Sequence, residues 1–156
     1  MSASISTYLR KGEDELLEKW VVATKGSGIS YPQIISEDIL VHGAAVYRQL
    51  IGILGRPSYS LGTKKRINPI GRQIGRKRAM AGVSLEAVME LFVLFRHELW
   101  EAIADFAKAN EIAQDQLLEI RRRIDLYLDQ FIASIAYSYT RTKEEAMVGL
   151  IEKLLS

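Results

Sequence analysis

VMELFVLF, residues 88–95, holds seven apolar residues in eight, with Glu90 the one charge. At helical pitch such a run is apolar all round instead of along one stripe. Its flanks carry helix signals. Ser84 stands where an N-cap is needed, with Glu86 in the first turn facing the positive end of the helix dipole. Downstream, RHELWEAIADFAKAN returns to one apolar face through Leu99, Trp100, Ile103 and Phe106, and Asn110 offers a C-cap. A helix of this kind either crosses the centre of a domain or has one side covered by a second subunit.

From Ile112 to Ser156 there is no proline, and Gly149 is the one glycine. Leu117, Ile120, Ile124, Leu128, Phe131 and Ile135 form a core stripe, and Leu126, Ala133 and Tyr137 offer a second apolar line. Beyond Thr142 the apolar positions Ala146, Met147, Leu150, Ile151 and Leu154 continue with heptad-like steps. Unbroken, this helix would reach about 66 Å at 1.5 Å per residue. A core of this size cannot cover that length, so the tail is expected to project. Residues 1–142 then form the folded domain and 143–156 an output helix.

Upstream, Tyr8, Leu9, Leu16, Leu17, Trp20 and Val21 have helical spacing between Ile5 and Lys25, with Gly12 breaking the run and Gly26 ending it. Pro32 precedes a second helix, for which Ser36 is the expected cap and Ile39, Leu40, Gly43, Tyr47, Leu50, Ile51 and Leu54 the stripe; Gly55 and Pro57 close it. RPSYSLGTKKRI, residues 56–67, is the longest loop. Asn68 then caps a third helix that has Pro69 in its first turn and ends at Gly82. Gly71 and Gly75 weaken that helix by about 1 kcal/mol each relative to Ala. Packing through Ile70 and Ile74 is expected to hold it. The fold class is therefore all-α, with about five main helices.

With 156 residues, 48% hydrophobic and 26% charged, the chain has the composition of one packed domain. It contains no cysteine, which removes disulfides, thiolate metal sites and a cysteine nucleophile. The opening MSASISTYLRKGEDE lacks the apolar core of a signal peptide, and no apolar run is long enough for a membrane span. A soluble, cytoplasmic protein is expected.

The net charge of +2 is unevenly spread. Between Asp38 and Glu86 there are nine basic residues and no acidic one. Such asymmetry marks either an anion-binding face or two parts of a domain that neutralise each other in the fold, and the second is favoured here. Arg72, Arg76, Lys77 and Arg78 form the densest basic patch. GRQIGRKRAMAGVSLEAV has the outline of a helix-turn-helix, so the alternative function is a small basic nucleic-acid-binding regulator. Its second helix, however, would present Leu, Met and Phe where polar readers of base edges are required. Nucleic acid is therefore not the favoured partner.

Two histidines, His42 and His97, are the candidates for haem ligation, but neither lies in a short helix of the kind that would serve it. No Glu-x-x-His pair and no Gly-x-Ser-x-Gly elbow occurs, and Gly71–Gly75 lacks the ending of a phosphate loop. No catalytic residue, metal ligand or cofactor is assigned. A pocket among the second, third and fourth helices would either take a small apolar ligand or be filled by side chains. Glu90 reaches solvent at the edge of its face or is buried with a basic partner.

Three segments resemble one family: YLRKGEDELLEKW (8–20), KRAMAGVSLEAVMELFVLFRHELW (77–100), and RRRIDLYLDQFIASIAYSY (121–139) running on into an output helix. They are similar to the N-terminal domain of RsbR-type stressosome proteins, co-antagonists of the RsbT kinase, and to related input domains of histidine kinases. The likeness rests on Leu16, Leu17 and Trp20, on Gly82 and Ser84 before the apolar helix, and on Trp100 late in it. It implies a dimeric, globin-like, non-haem sensor domain joined by a helix to an output domain, non-enzymatic and with regulatory protein partners. The basic third helix and the end at Ser156 depart from that pattern.

The excess apolar surface is expected to be covered by a two-fold homodimer through Leu91, Leu94, Leu126, Ala133 and Tyr137. Met147, Leu150, Ile151 and Leu154 would then pair as a short parallel coiled coil, the output helix of the stress-response signal.

Overall fold

The computed structural model describes residues 2–28, 34–57 and 68–156. Among them the chain is all helical. In order, α1 (Ser2–Lys11) and α2 (Glu13–Gly26) are followed by a π-helical segment (Ile34–Gly43) that runs directly into α3 (Ala44–Leu54). Next come α4 (Pro69–Met80), α5 (Leu85–Asn110) and α6 (Gln114–Leu155). Gly12 separates α1 from α2, as its position in the sequence suggests. Most of the loop 56–67, including Lys64, Lys65 and Arg66, lies outside the described residues, as does Pro32. No described helix is long and apolar enough to cross a membrane.

The start signals read from the sequence operate as side-chain caps. The Asn68 carboxamide oxygen accepts from the backbone N–H groups of Ile70 (3.0 Å) and Gly71 (3.1 Å), and Ser84 Oγ accepts from that of Ala87 (3.2 Å). The end of α5 differs. Asn110 remains helical, and the left-handed position falls one residue later on Glu111 (φ 49°). The last helix accordingly starts at Gln114 and keeps its 42 residues unbroken, about 63 Å.

The second helix also departs from a simple reading. Its first ten residues wind as a π-helix, and their buried positions are Ile34, Asp38, Ile39, His42 and Gly43. These recur in steps of four and five, which suits i→i+5 winding. Leu40, expected in the stripe, is turned out to solvent by that change of phase. Ser36, expected as the cap, lies inside the segment.

At the centre, α5 crosses the domain. Val88, Leu91, Phe92, Phe95, Leu99 and Ile103 are all buried, so the apolar run 88–95 is largely covered by the chain itself. Trp20 is the hub. Its indole N–H donates to Leu91 O at 2.8 Å, and its ring meets Phe95 (centroids 4.7 Å) and Phe92 (5.5 Å). Phe92 in turn meets Phe131 of α6 edge-on at 4.9 Å. The indole also lies over Gly43, where a Cβ would come within 2.4 Å of it. Tyr47 is buried beside Phe95 and donates its hydroxyl to Leu9 O, and burial pushes its phenol pKa upward. These rings pack against one another at the centre, while Leu9, Leu16 and Tyr47 also line a cleft of about 360 Å³ between α1, α2 and α5.

Arg123 ties α6 to the end of α3. Buried, it donates to the carbonyl oxygens of Ile53 (3.1 Å), Arg56 (2.5 Å) and Pro57 (2.9 Å), adding to the single turn bond that Ile53 O accepts from the Arg56 N–H (3.2 Å). Glu119 accepts from Arg122 (2.8 Å) and Arg123 (3.0 Å), and those bonds hold its carboxyl at about 2 against an ordinary 4.5. A lowered folded-state pKa adds stability that is fully present above the ordinary value and lost as the pH falls through about 2. Urea titrations from pH 5 to 2 should show an acid-dependent loss in the parent that is smaller in Glu119→Gln.

Candidate functional site

The candidate functional features gather on α4 and on the outer side of α6. The helix α4 lies along α6 at backbone distance because Gly71 and Gly75 present no side chain there. A Cβ on Gly71 would stand 2.7 Å from Phe131 O, and one on Gly75 would stand 2.3 Å from Ile135 O and 2.9 Å from Tyr139 N. Hydrogen bonds fasten the contact. Ser138 Oγ donates to Arg72 O (2.7 Å), Asn68 N–H donates to Ser134 Oγ (2.8 Å), and the Tyr139 hydroxyl donates to Val83 O (2.7 Å). The two glycines, which cost helix propensity, therefore have a packing role that Ile70 and Ile74 alone do not supply. Ile74 is buried, whereas Ile70 is half-buried.

The far side of α4 reaches the π-helical segment through ions. Asp38 is 0% exposed, and its carboxylate lies 3.4 Å from both Arg78 Nε and His42 Nδ1. Arg78, also buried, donates to Glu37 (3.0 Å), and Lys77 reaches the same carboxylate at 3.4 Å. Hydrogen bonding from Lys77 is the main cause that lowers the Glu37 pKa. One rigid helix thus joins a buried charge cluster on one side to α6 on the other.

The basic patch expected from the sequence does not form one face. Arg78 and Lys77 point to Glu37 and Asp38, while Arg72 and Arg76 line a groove on the α6 side. Part of the central positive charge is therefore neutralised within the fold. His97 sits exposed on α5 beside Glu101 (4.0 Å), and Glu90 is exposed too.

Of the residues expected at a dimer interface, Leu91 is placed elsewhere: it is fully buried behind Trp20. Leu94 and Leu126 are half-buried, Ala133 is exposed, and Tyr137 is 52% exposed. On α6 these residues fall on one line with the tail. Leu126, Ala133, Thr140, Met147 and Leu154 are spaced by sevens, and Tyr137, Glu144 and Ile151 form the companion row four residues on from Ala133, Thr140 and Met147. Two such rows make the a and d positions of a heptad. Leu150 stands beside the line and not on it. Buried residues of α6 end at Ile135, and every side chain from Lys143 onward is exposed, Met147, Ile151 and Leu154 among them. The heptad-like steps of the tail and the second line at Leu126, Ala133 and Tyr137 are read from the sequence; their continuity through Thr140 shows once the inward stripe is subtracted.

Among protein families, residues 14–152 match the one described as the RsbT co-antagonist protein rsbRD N-terminal domain. No curated protein and no solved structure matches the chain. The matched span runs from the first turn of α2 into the last turns of α6, taking in the charge cluster, the glycine contact and the heptad line, and the chain belongs to this family.

Proposed function

We propose that this chain is a non-enzymatic signal-input and protein-interaction module of a cytoplasmic stress-response regulator, working as a two-fold dimer. Residues 1–142 receive the signal, and residues 143–156 carry it out as paired helices. The observation that supports this most is the heptad line, which starts on the folded domain at Leu126 and, apolar except for Thr140 and the companion Glu144, reaches the exposed tail at Leu154. A solvated helix has no need of seven-residue apolar spacing, whereas a parallel pair of helices does. Membership of the RsbT co-antagonist family points to regulatory protein partners.

In this reading α4 is the moving part. It is fixed to the π-helical segment by Arg78 and to α6 by Gly71 and Gly75. A shift at the first contact would therefore displace the base of the tail at Ser138 and Tyr139. The dimer is tested by sedimentation equilibrium at micromolar concentration. The parent is expected at twice its 17.6 kDa chain mass, and Leu126→Glu and Ala133→Glu as folded monomers. Changes at Leu150 should leave the dimer intact. A parent that sediments as a monomer with full helicity would overturn the dimeric reading.

A further inference from the structure

The groove between α4 and the base of the α6 tail gathers three guanidinium groups with little to neutralise them. It measures about 390 Å³ and is lined by Arg72, Arg76, Tyr137, Arg141, Thr142 and Glu145, among others. Every Asp and Glu of the chain lies among the described residues, and none forms an ion pair with Arg72 or Arg76. Arg141 alone has a counter-charge, Glu145 at 3.1 Å. The groove therefore carries three positive charges against one negative, a convergence that repels itself unless an anion enters.

Two of the three arginines, Arg72 and Arg141, are also held in place. The Arg72 guanidinium lies over the Tyr137 ring, 5.2 Å from its centroid, and the hydroxyl of the same ring accepts from Arg141 Nη1 at 3.2 Å. One tyrosine thus positions donors from two different helices. Planar, pre-positioned forks suit the tetrahedral oxygens of a phosphate, which they can grip in pairs. Lys77 and Arg78 take no part, being turned to Glu37 on the opposite side of α4.

We propose that this groove binds a phosphate dianion, free or carried on a phosphomonoester, and that the bound group bridges α4 to the base of the tail. The site is built within one chain; of its lining, Tyr137 alone also stands on the rows proposed to pair in the dimer, so the groove borders that seam.

Isothermal titration calorimetry of the full chain tests it, with inorganic phosphate as the probe and chloride holding the ionic strength constant. Binding well above that of chloride is expected. It should fall by about tenfold or more in Arg72→Ala/Arg76→Ala, since charge-assisted hydrogen bonds are lost. Lys77→Ala should bind as the parent does. Glu145→Gln should tighten binding several-fold, because a carboxylate beside the anion is removed; this variant decides the matter if the double variant loses helicity. A phosphoserine peptide forms the second arm. Affinity equal to that of inorganic phosphate identifies a free anion as the occupant, and tighter binding of the peptide identifies a phosphorylated side chain. Phosphate that binds no better than chloride, a double variant that binds like the parent, or no tightening in Glu145→Gln would overturn the proposal.

Discussion

Gly75→Ala is expected to lower the stability of the domain by about 3 kcal/mol, a large effect for one added methyl group. The new Cβ would meet Ile135 O at 2.3 Å and Tyr139 N at 2.9 Å, and both are backbone atoms that no rotamer change can move aside. The helix α4 would have to lift from α6, lengthening the Ser138–Arg72 and Tyr139–Val83 hydrogen bonds as it goes. The control is Gly52→Ala in α3. Nothing lies within 4 Å of a Cβ there, so relief of glycine's backbone entropy should raise stability by about 0.5–1 kcal/mol. Urea denaturation of both variants, followed by far-ultraviolet circular dichroism, compares the two signs directly. Equal effects at the two glycines would contradict the packing described here.

The second large effect concerns the buried ions. Asp38→Ala would leave Arg78, with 3% of its side chain exposed, facing only the half-exposed Glu37. Removing one partner of a buried pair costs about 3–5 kcal/mol, and the surviving Glu37 contact places this case near the lower figure. Arg78→Met should cost a similar amount, since it leaves the fully buried Asp38 with only His42 beside it. The double variant Asp38→Leu/Arg78→Met, which fills the space with apolar groups, is expected close to parental stability. With the single variant Asp38→Leu added, the cycle closes, and its coupling energy should depart by several kcal/mol from the near-zero value of independent sites, as both unpaired buried charges are relieved together. The geometry explains why the pair is not itself a strong source of stability: Asp38 Oδ2 and Arg78 Nε stand 3.4 Å apart, and among the described residues neither has a hydrogen-bond partner.

The helical order and most boundaries are legible in the sequence because local chemistry sets them. Asn68 with Pro69, and Ser84 with Glu86, cap helices in the way their residue types require. The buried stripe of α6 from Ile120 to Ile135 follows from its spacing. What the sequence conceals are features set by tertiary contact. The π winding of residues 34–43 moves Leu40 out and Asp38 in, and no pattern of apolar residues announces it. Gly71 and Gly75 look like weaknesses until α6 is placed against them. Arg123 reads as one of three surface arginines at positions 121–123, yet it alone turns inward to the carbonyls that end α3. The basic run 72–78 looks like a single face, although α4 buried between two neighbours sends Arg78 one way and Arg72 the other. The candidate site was half legible in the same sense. The heptad-like tail and the line Leu126, Ala133 and Tyr137 are each legible, while their continuity through Thr140 emerges with the burial of the opposite side.

The central claim, that α6 leaves the domain as one half of a parallel pair, is tested most directly by cysteine cross-linking. The chain has no cysteine, so single substitutions report without background. Thr140→Cys and Leu154→Cys lie on the heptad line, where each residue of a parallel, in-register pair faces its own symmetry mate within reach of a disulfide. Glu152→Cys lies away from that line. Under mild oxidation at micromolar concentration, the first two should convert largely to covalent dimers and the third should remain monomeric on a denaturing gel. Absence of cross-linking at Thr140→Cys and Leu154→Cys, or an equal yield at all three positions, would contradict the paired output helix.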